Sequence, residues 1–181
     1  LMSIYLSILW LSGNWRWSCW LDENGHRTCQ IARDHGAAPS CLPNCHELDI
    51  SGQNLMGWEL NNARLEGANL ERAHLGNATV QRAHLANANL EHIDARLGNL
   101  MGADLSNASL NGANLVHGNL LRVNLTESVM RDADLYKADL RGARMIDMDA
   151  ESSIFTEARL SEINGLRANF RNADLQNADL Y

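Results

Sequence analysis

Four cysteines are the residues best equipped for chemistry in this chain: Cys19, Cys29, Cys41 and Cys45, spaced C-x9-C-x11-C-x3-C in a 181-residue sequence. An even number confined to one irregular segment suits two disulfides in an exported protein. Cys41 and Cys45 are the first choice for one pair, because only three residues separate them. His26, His35 and His46 are interleaved with the cysteines, so a zinc site is an alternative, although C-x3-C is not the usual C-x2-C knuckle. Reduced thiols are the third reading.

The elements that would position these groups differ sharply on either side of His46. From Ile50 to Leu180, every residue number divisible by five is a centre; 24 of these 27 centres are large and apolar, 18 of them Leu. Two residues before each centre lies a second column, with 20 of 27 positions Ala, Gly or Ser, and between the columns 17 of 27 residues are Asn or Asp. The unit reads A-(N/D)-L-x-x. A period of five fits neither a helix nor a long strand. In-out-in alternation holds only across the triplet, and the next two residues, rich in Gly, Asn, Ser, Arg and Glu, must turn the chain. One apolar side and a turn in every unit imply a coil around an axis, with stacked coils supplying the core.

The stretches ANLERAHLGNATVQRAHLANANL and ADLYKADLRGARM resemble the pentapeptide-repeat proteins, and the resemblance runs over 46–181. It implies a bacterial all-β solenoid: a right-handed quadrilateral β-helix of four units per coil, with each centre and its minus-two neighbour inside. At about 4.8 Å between stacked strands, the rod would be about 32 Å long. The domain division is then 1–45, an irregular or helical N-terminal cap, and 46–181, the β-helix. CLPNCHELDISGQNL also resembles the cysteine pair that leads into the first coil in some exported members, which implies a periplasmic or lumenal location.

Three centres fail: Ala95, Ala150 and Gly165. In each of those units the minus-two residue is large, Ile93, Met148 and Ile163 respectively, so volume is exchanged within the unit, the change that close-packed interiors tolerate best. Gly57, Gly67, Gly102, Gly112 and Gly142 recur at one turn position, a backbone role.

Catalysis needs an acid, base or nucleophile gathered in a pocket, and the inward positions are almost wholly apolar. His74 and His84 would stand on opposite faces, with His92 and His117 on further coils. No Gly-rich phosphate loop or Ser-His-Asp arrangement is present. The sequence therefore predicts no enzyme, cofactor or metal, but a scaffold whose laddered faces bind another protein of unknown identity. Formal charge is −7, all of it on the repeats (19 acidic against 12 basic residues from His46 onward), which argues against direct nucleic-acid binding. Residues 20 apart should stack, and the most acidic face carries Asp49, Glu71, Glu91, Asp132, Asp149 and Glu151 against Arg72, Arg131 and Arg171. Arg131, Glu151 and Arg171 should form an alternating-charge ladder. Quinolone-resistance members of the family imitate DNA with acidic rods and bind DNA gyrase, and that is the alternative function.

At the N-terminus, LMSIYLSILWL is an uncharged apolar run of 11 residues, too short to span a bilayer. It reads as a capping helix or the remnant of a signal or anchor, with membrane association of residues 1–11 as the second option. Trp10, Trp15, Trp17 and Trp20 would plug the first coil with Trp58. At the other end the last units run in phase to Tyr181, and an uncovered coil invites edge-to-edge association. A C-terminal homodimer joined near Phe170, Leu175, Leu180 and Tyr181 is the expectation.

Overall fold

The computed structural model describes residues 16–21, 27–32 and 48–181. Two longer strands, β1 (Arg16–Leu21) and β2 (Arg27–Ala32), form an antiparallel hairpin. Neither periodicity nor the tryptophan cluster foretold it. The described part of the cap region is thus extended, with no helix among the described residues; the run at 1–11, Cys41, Cys45, His26, His35 and His46 lie outside them.

From Asp49 onward the backbone is a β-helix whose strands have shrunk to single bridges. All 23 bridges are parallel and join residues 20 apart, from Asp49↔Asn69 to Arg159↔Asp179, so four five-residue units complete each coil. Three hydrogen bonds serve each unit. The centre donates up to the next coil (Leu55 N–H to His74 O, 2.7 Å), the outward middle residue donates down (His74 N–H to Gln53 O, 2.8 Å), and the second turn residue donates up (Gly57 N–H to Gly76 O, 2.9 Å). Each coil therefore satisfies its neighbours' backbone, which no unit could do alone.

A fourth bond closes nearly every corner, as from Ala63 N–H to Leu60 O at 3.1 Å; the corner from Leu160 to Ile163 lacks it. The second residue of each turn has positive φ and the first does not, the signature of a type II turn. This holds at all such positions from Gly52 to Asn177, including 20 that are not glycine. Asn is well represented there because it enters the left-handed region most readily after Gly. The middle Asn or Asp helps: Asp49 Oδ1 accepts Ser51 N–H at 3.0 Å, a pattern repeated at Asn89, Asp134 and Asp149.

Centres and minus-two residues form one continuous core from Leu48 to Leu160. The volume exchange lies inside it: Ile93, Ala95, Met148 and Ala150 are all buried. An apolar void of about 10 Å³ remains in the core between Leu65 and Leu115, with Ile93 and Ala95 among the residues that line it. Farther along, Phe155 and Phe170 meet edge to face at 5.5 Å beside the small centres Ala150 and Gly165. Trp58 is partly buried against the first coil.

Candidate functional site

The square coil leaves four corners, of which three carry apolar residues: Met101 and Leu121 lie on one, Ile146 and the exposed Leu166 on a second, and the third is set apart by the backbone conformation of its leucine. Its turn pairs in successive coils are Met56-Gly57, Gly76-Asn77, Arg96-Leu97, Val116-His117, Tyr136-Lys137 and Thr156-Glu157. Backbone bonds lock them one above another: Leu97 N–H to Val116 O at 3.0 Å, His117 N–H to Tyr136 O at 2.9 Å, Lys137 N–H to Thr156 O at 3.0 Å. Leu97 is 58% exposed and Met56 57%, and Ile154, 40% exposed, lies on the face that leads into the same corner. The corner of Glu71, Glu91, Asn111 and Arg131 has no apolar residue at all.

Leu97 is the anomaly. Its φ is +58°, and every other non-glycine residue in that turn position is polar or charged: Asn, Asp, Ser, Glu, Arg, Lys or His. A leucine there carries the strain of the left-handed region, on the order of 1 to 2 kcal/mol, and gains nothing from burial.

Around it the polar groups are already occupied. Arg96 donates through Nε and Nη2 to both oxygens of Asp94 (2.9 and 2.8 Å), and that contact, followed by the Arg96 N–H, holds the Asp94 carboxyl below its ordinary range against the effect of burial. His117 meets Tyr136 edge-on at 5.7 Å, and Lys137 Nζ lies 4.9 Å from the Tyr136 ring centre. Lys137 also pairs with Glu157 at 3.3 Å, and the Tyr136 hydroxyl donates to Glu157 at 3.3 Å. Hydrogen bonding to Tyr136, then to Glu157, raises the lysine pKa. The result is an apolar and aromatic strip whose charges are internally paired, a composition that favours protein contact.

The acidic face comes together as a face but not as an open array of carboxylates. Asp149 is pulled below its ordinary pKa despite desolvation, its largest single influence, because Arg131, the Glu151 N–H and Asn169 outweigh burial together. Glu71 pairs with Arg72 at 2.8 Å. Glu91 accepts from Ser109 Oγ at 2.7 Å and Asn111 at 3.2 Å, and these bonds lower its pKa. Asp49 accepts from Ser51 and Asn69. Among the described residues only Asp132 and Glu151 of the six have neither an ion pair nor a side-chain hydrogen bond to their carboxylates. The expected Arg131–Glu151–Arg171 ladder does not form: Arg131 reaches Asp149 instead, with Nε and Nη2 both directed at Oδ2 (2.7 and 2.5 Å).

No cluster of three His, Cys, Asp or Glu suited to a metal occurs among the described residues. Among the described residues the two buried serines, Ser128 and Ser153, donate to the carbonyls of Leu125 and Met130, a structural use. Among the four cysteines, Cys19 and Cys29 occupy opposed positions on β1 and β2. At the C-terminal end Phe170 and Leu175 are half-buried, while Leu180 and Tyr181 are exposed. In the sequence the sign of this corner is Val116 and Tyr136 twenty residues apart, with Leu97 and His117 in the adjoining column, a pattern that charge does not carry.

The fold is a repeat solenoid. The pentapeptide repeats family profile matches in eight copies, over 59–94, 83–120, 99–127, 108–147 and 155–181, and the chain belongs to that family. The right-handed quadrilateral β-helix is the family's architecture. Similar solved structures include trypsin-treated QnrB1, a plasmid-mediated fluoroquinolone resistance protein (18% identity, 80% of this chain and 88% of that one, TM-score 0.50). HetL, a protein involved in heterocyst differentiation regulation in the cyanobacterium Nostoc sp. strain PCC 7120, shares 19% identity over 74% of this chain and 85% of its own, with a TM-score of 0.47. Rfr23 from the cyanobacterium Cyanothece 51142 shares 17% over 74% and 91%, with a TM-score of 0.40. No curated protein matches the sequence.

Proposed function

We propose that this protein is a non-enzymatic scaffold that docks another protein along the corner of Leu97, Val116, His117, Tyr136 and Ile154. The observation that carries the reading is Leu97, an exposed leucine held in a left-handed turn where polar residues stand in every comparable corner but those with glycine. Backbone strain of this kind concentrates at working surfaces. Tyrosine and neighbouring apolar groups ringed by satisfied charges make a contact centre from which water is readily excluded. The partner is a folded protein offering an apolar pocket for Leu97 and Tyr136.

The test compares the native chain with Leu97→Asn and Tyr136→Ala as bait in extract of the native host, followed by titration of any captured protein in purified form. Asn keeps the turn, so folding is preserved. Binding weakened at least tenfold by both substitutions supports the corner. Equal binding by all three chains rejects it, and loss only with Glu151→Lys moves the contact to the acidic face.

The gyrase-binding alternative draws support from fold likeness to QnrB1, while the engagement of four of the six acidic-face carboxylates counts against it. Inhibition of gyrase supercoiling by the purified chain is its test. A second copy docking on the last coil through Phe170, Leu175, Leu180 and Tyr181 is compatible with either role. Light scattering at tens of micromolar checks it: a dimer that Leu180→Lys dissociates is expected, and a monomer unaffected by that change removes it.

A further inference from the structure

The hairpin pairs six residues of β1 with six of β2, from Arg16↔Ala32 to Leu21↔Arg27, and in that register Cys19 stands directly opposite Cys29. Opposed residues of an antiparallel pair have Cα atoms about 4.5 or 5.5 Å apart, according to their place in the ladder. Both separations lie within the roughly 4.4 to 6.8 Å that a disulfide spans. The six consecutive pairs fix one register across both strands, and only a slip along the ladder would part the cysteines. We infer that Cys19 and Cys29 are a thiol-oxidation site, forming a cross-strand disulfide that fastens the hairpin.

The oxidant class is a small-molecule disulfide, with glutathione disulfide as the probe. One cysteine thiolate attacks a glutathione sulfur; the glutathione S–S bond breaks, one glutathione thiolate leaves, and a mixed disulfide forms. The opposed cysteine, as its thiolate, then displaces the second glutathione. Two protein thiols lose two electrons and two protons, and one glutathione disulfide becomes two glutathione thiols. The oxidised hairpin removes two of the four cysteines from any shared zinc site and leaves Cys41 and Cys45 to their own chemistry.

Peptide mapping reads the linkage directly. The full chain is oxidised with glutathione disulfide, free thiols are alkylated with iodoacetamide in urea, and the protein is cut with trypsin. Cleavage after Arg16, Arg27, Arg33 and Arg64 puts Cys19 in 17–27, Cys29 in 28–33, and both Cys41 and Cys45 in 34–64. The expected product is 17–27 joined to 28–33 in most molecules, separable on reduction. In Cys29→Ser, Cys19 should then be alkylated or carry glutathione, with 34–64 unchanged. Either hairpin peptide joined to 34–64, or both hairpin cysteines alkylated after full oxidation, overturns the proposal.

Discussion

Leu97 shows how much one side chain can reveal when it contradicts its neighbours. Replacing it with Asn, which enters the left-handed region more readily, should raise stability by a few tenths to about 1 kcal/mol, measured by chemical denaturation. The same substitution should weaken partner binding, so stability and function move in opposite directions. The core offers the complementary case. Ile93→Ala would enlarge the void beside Ala95 and is expected to cost about 2 to 4 kcal/mol, whereas Ile93→Ala with Ala95→Leu should recover much of that. A double mutant no more stable than the single would mean the two positions do not share one space. That exchange was legible in the sequence, because a missing centre is visible against an unbroken count. Leu97 was equally visible as a letter, but its meaning needed the sign of φ, and no single letter carries that.

At the scale of the turn and its ladder, carboxylates do two jobs at once. Asp139 accepts its own turn from Arg141 N–H, holds the Arg141 guanidinium through Nε and Nη2 at 2.8 and 2.7 Å, and meets Arg159 from the next coil at 3.3 Å. Arg141 is the main reason its pKa lies below the ordinary value; Asp94 with Arg96 repeats the arrangement, while Asp147 is lowered by Arg167 of the next coil alone. A carboxylate with a lowered folded pKa binds fewer protons than it does unfolded, so its contribution is complete above the unfolded value near pH 4 and disappears as pH falls through the folded one. Thermal melts between about pH 2 and 6 should show stability falling on the acid side. Asp139→Asn should flatten that fall while leaving the neutral-pH midpoint lower, since Asn keeps the turn but not the ion pair. The turn period and the role of Asn and Asp opposite the core could be read from spacing. The hairpin could not, because its six-residue strands lie where the sequence has no comparable repeat.

For the whole molecule the decisive property is that no insertion interrupts the count between Asp49 and Tyr181, and every bridge spans 20 residues. Position along the sequence is therefore also an angle. Each added unit carries everything after it a quarter of the way around the axis without disturbing the core. Inserting five residues of the form Ala-Asn-Leu-Glu-Gly after Gly112 should leave the β-sheet circular dichroism and cooperative unfolding intact, yet swing Val116, His117 and Tyr136 to the next corner, away from Leu97, and abolish docking. Inserting twenty should return them to the same bearing, one coil farther off, and restore part of the binding. A gradual decline with insert length, indifferent to multiples of twenty, would show that distance and not direction governs recognition. A protein built this way has a compass as well as a length, and evolution can re-aim its surface by duplicating one unit without rebuilding any of it.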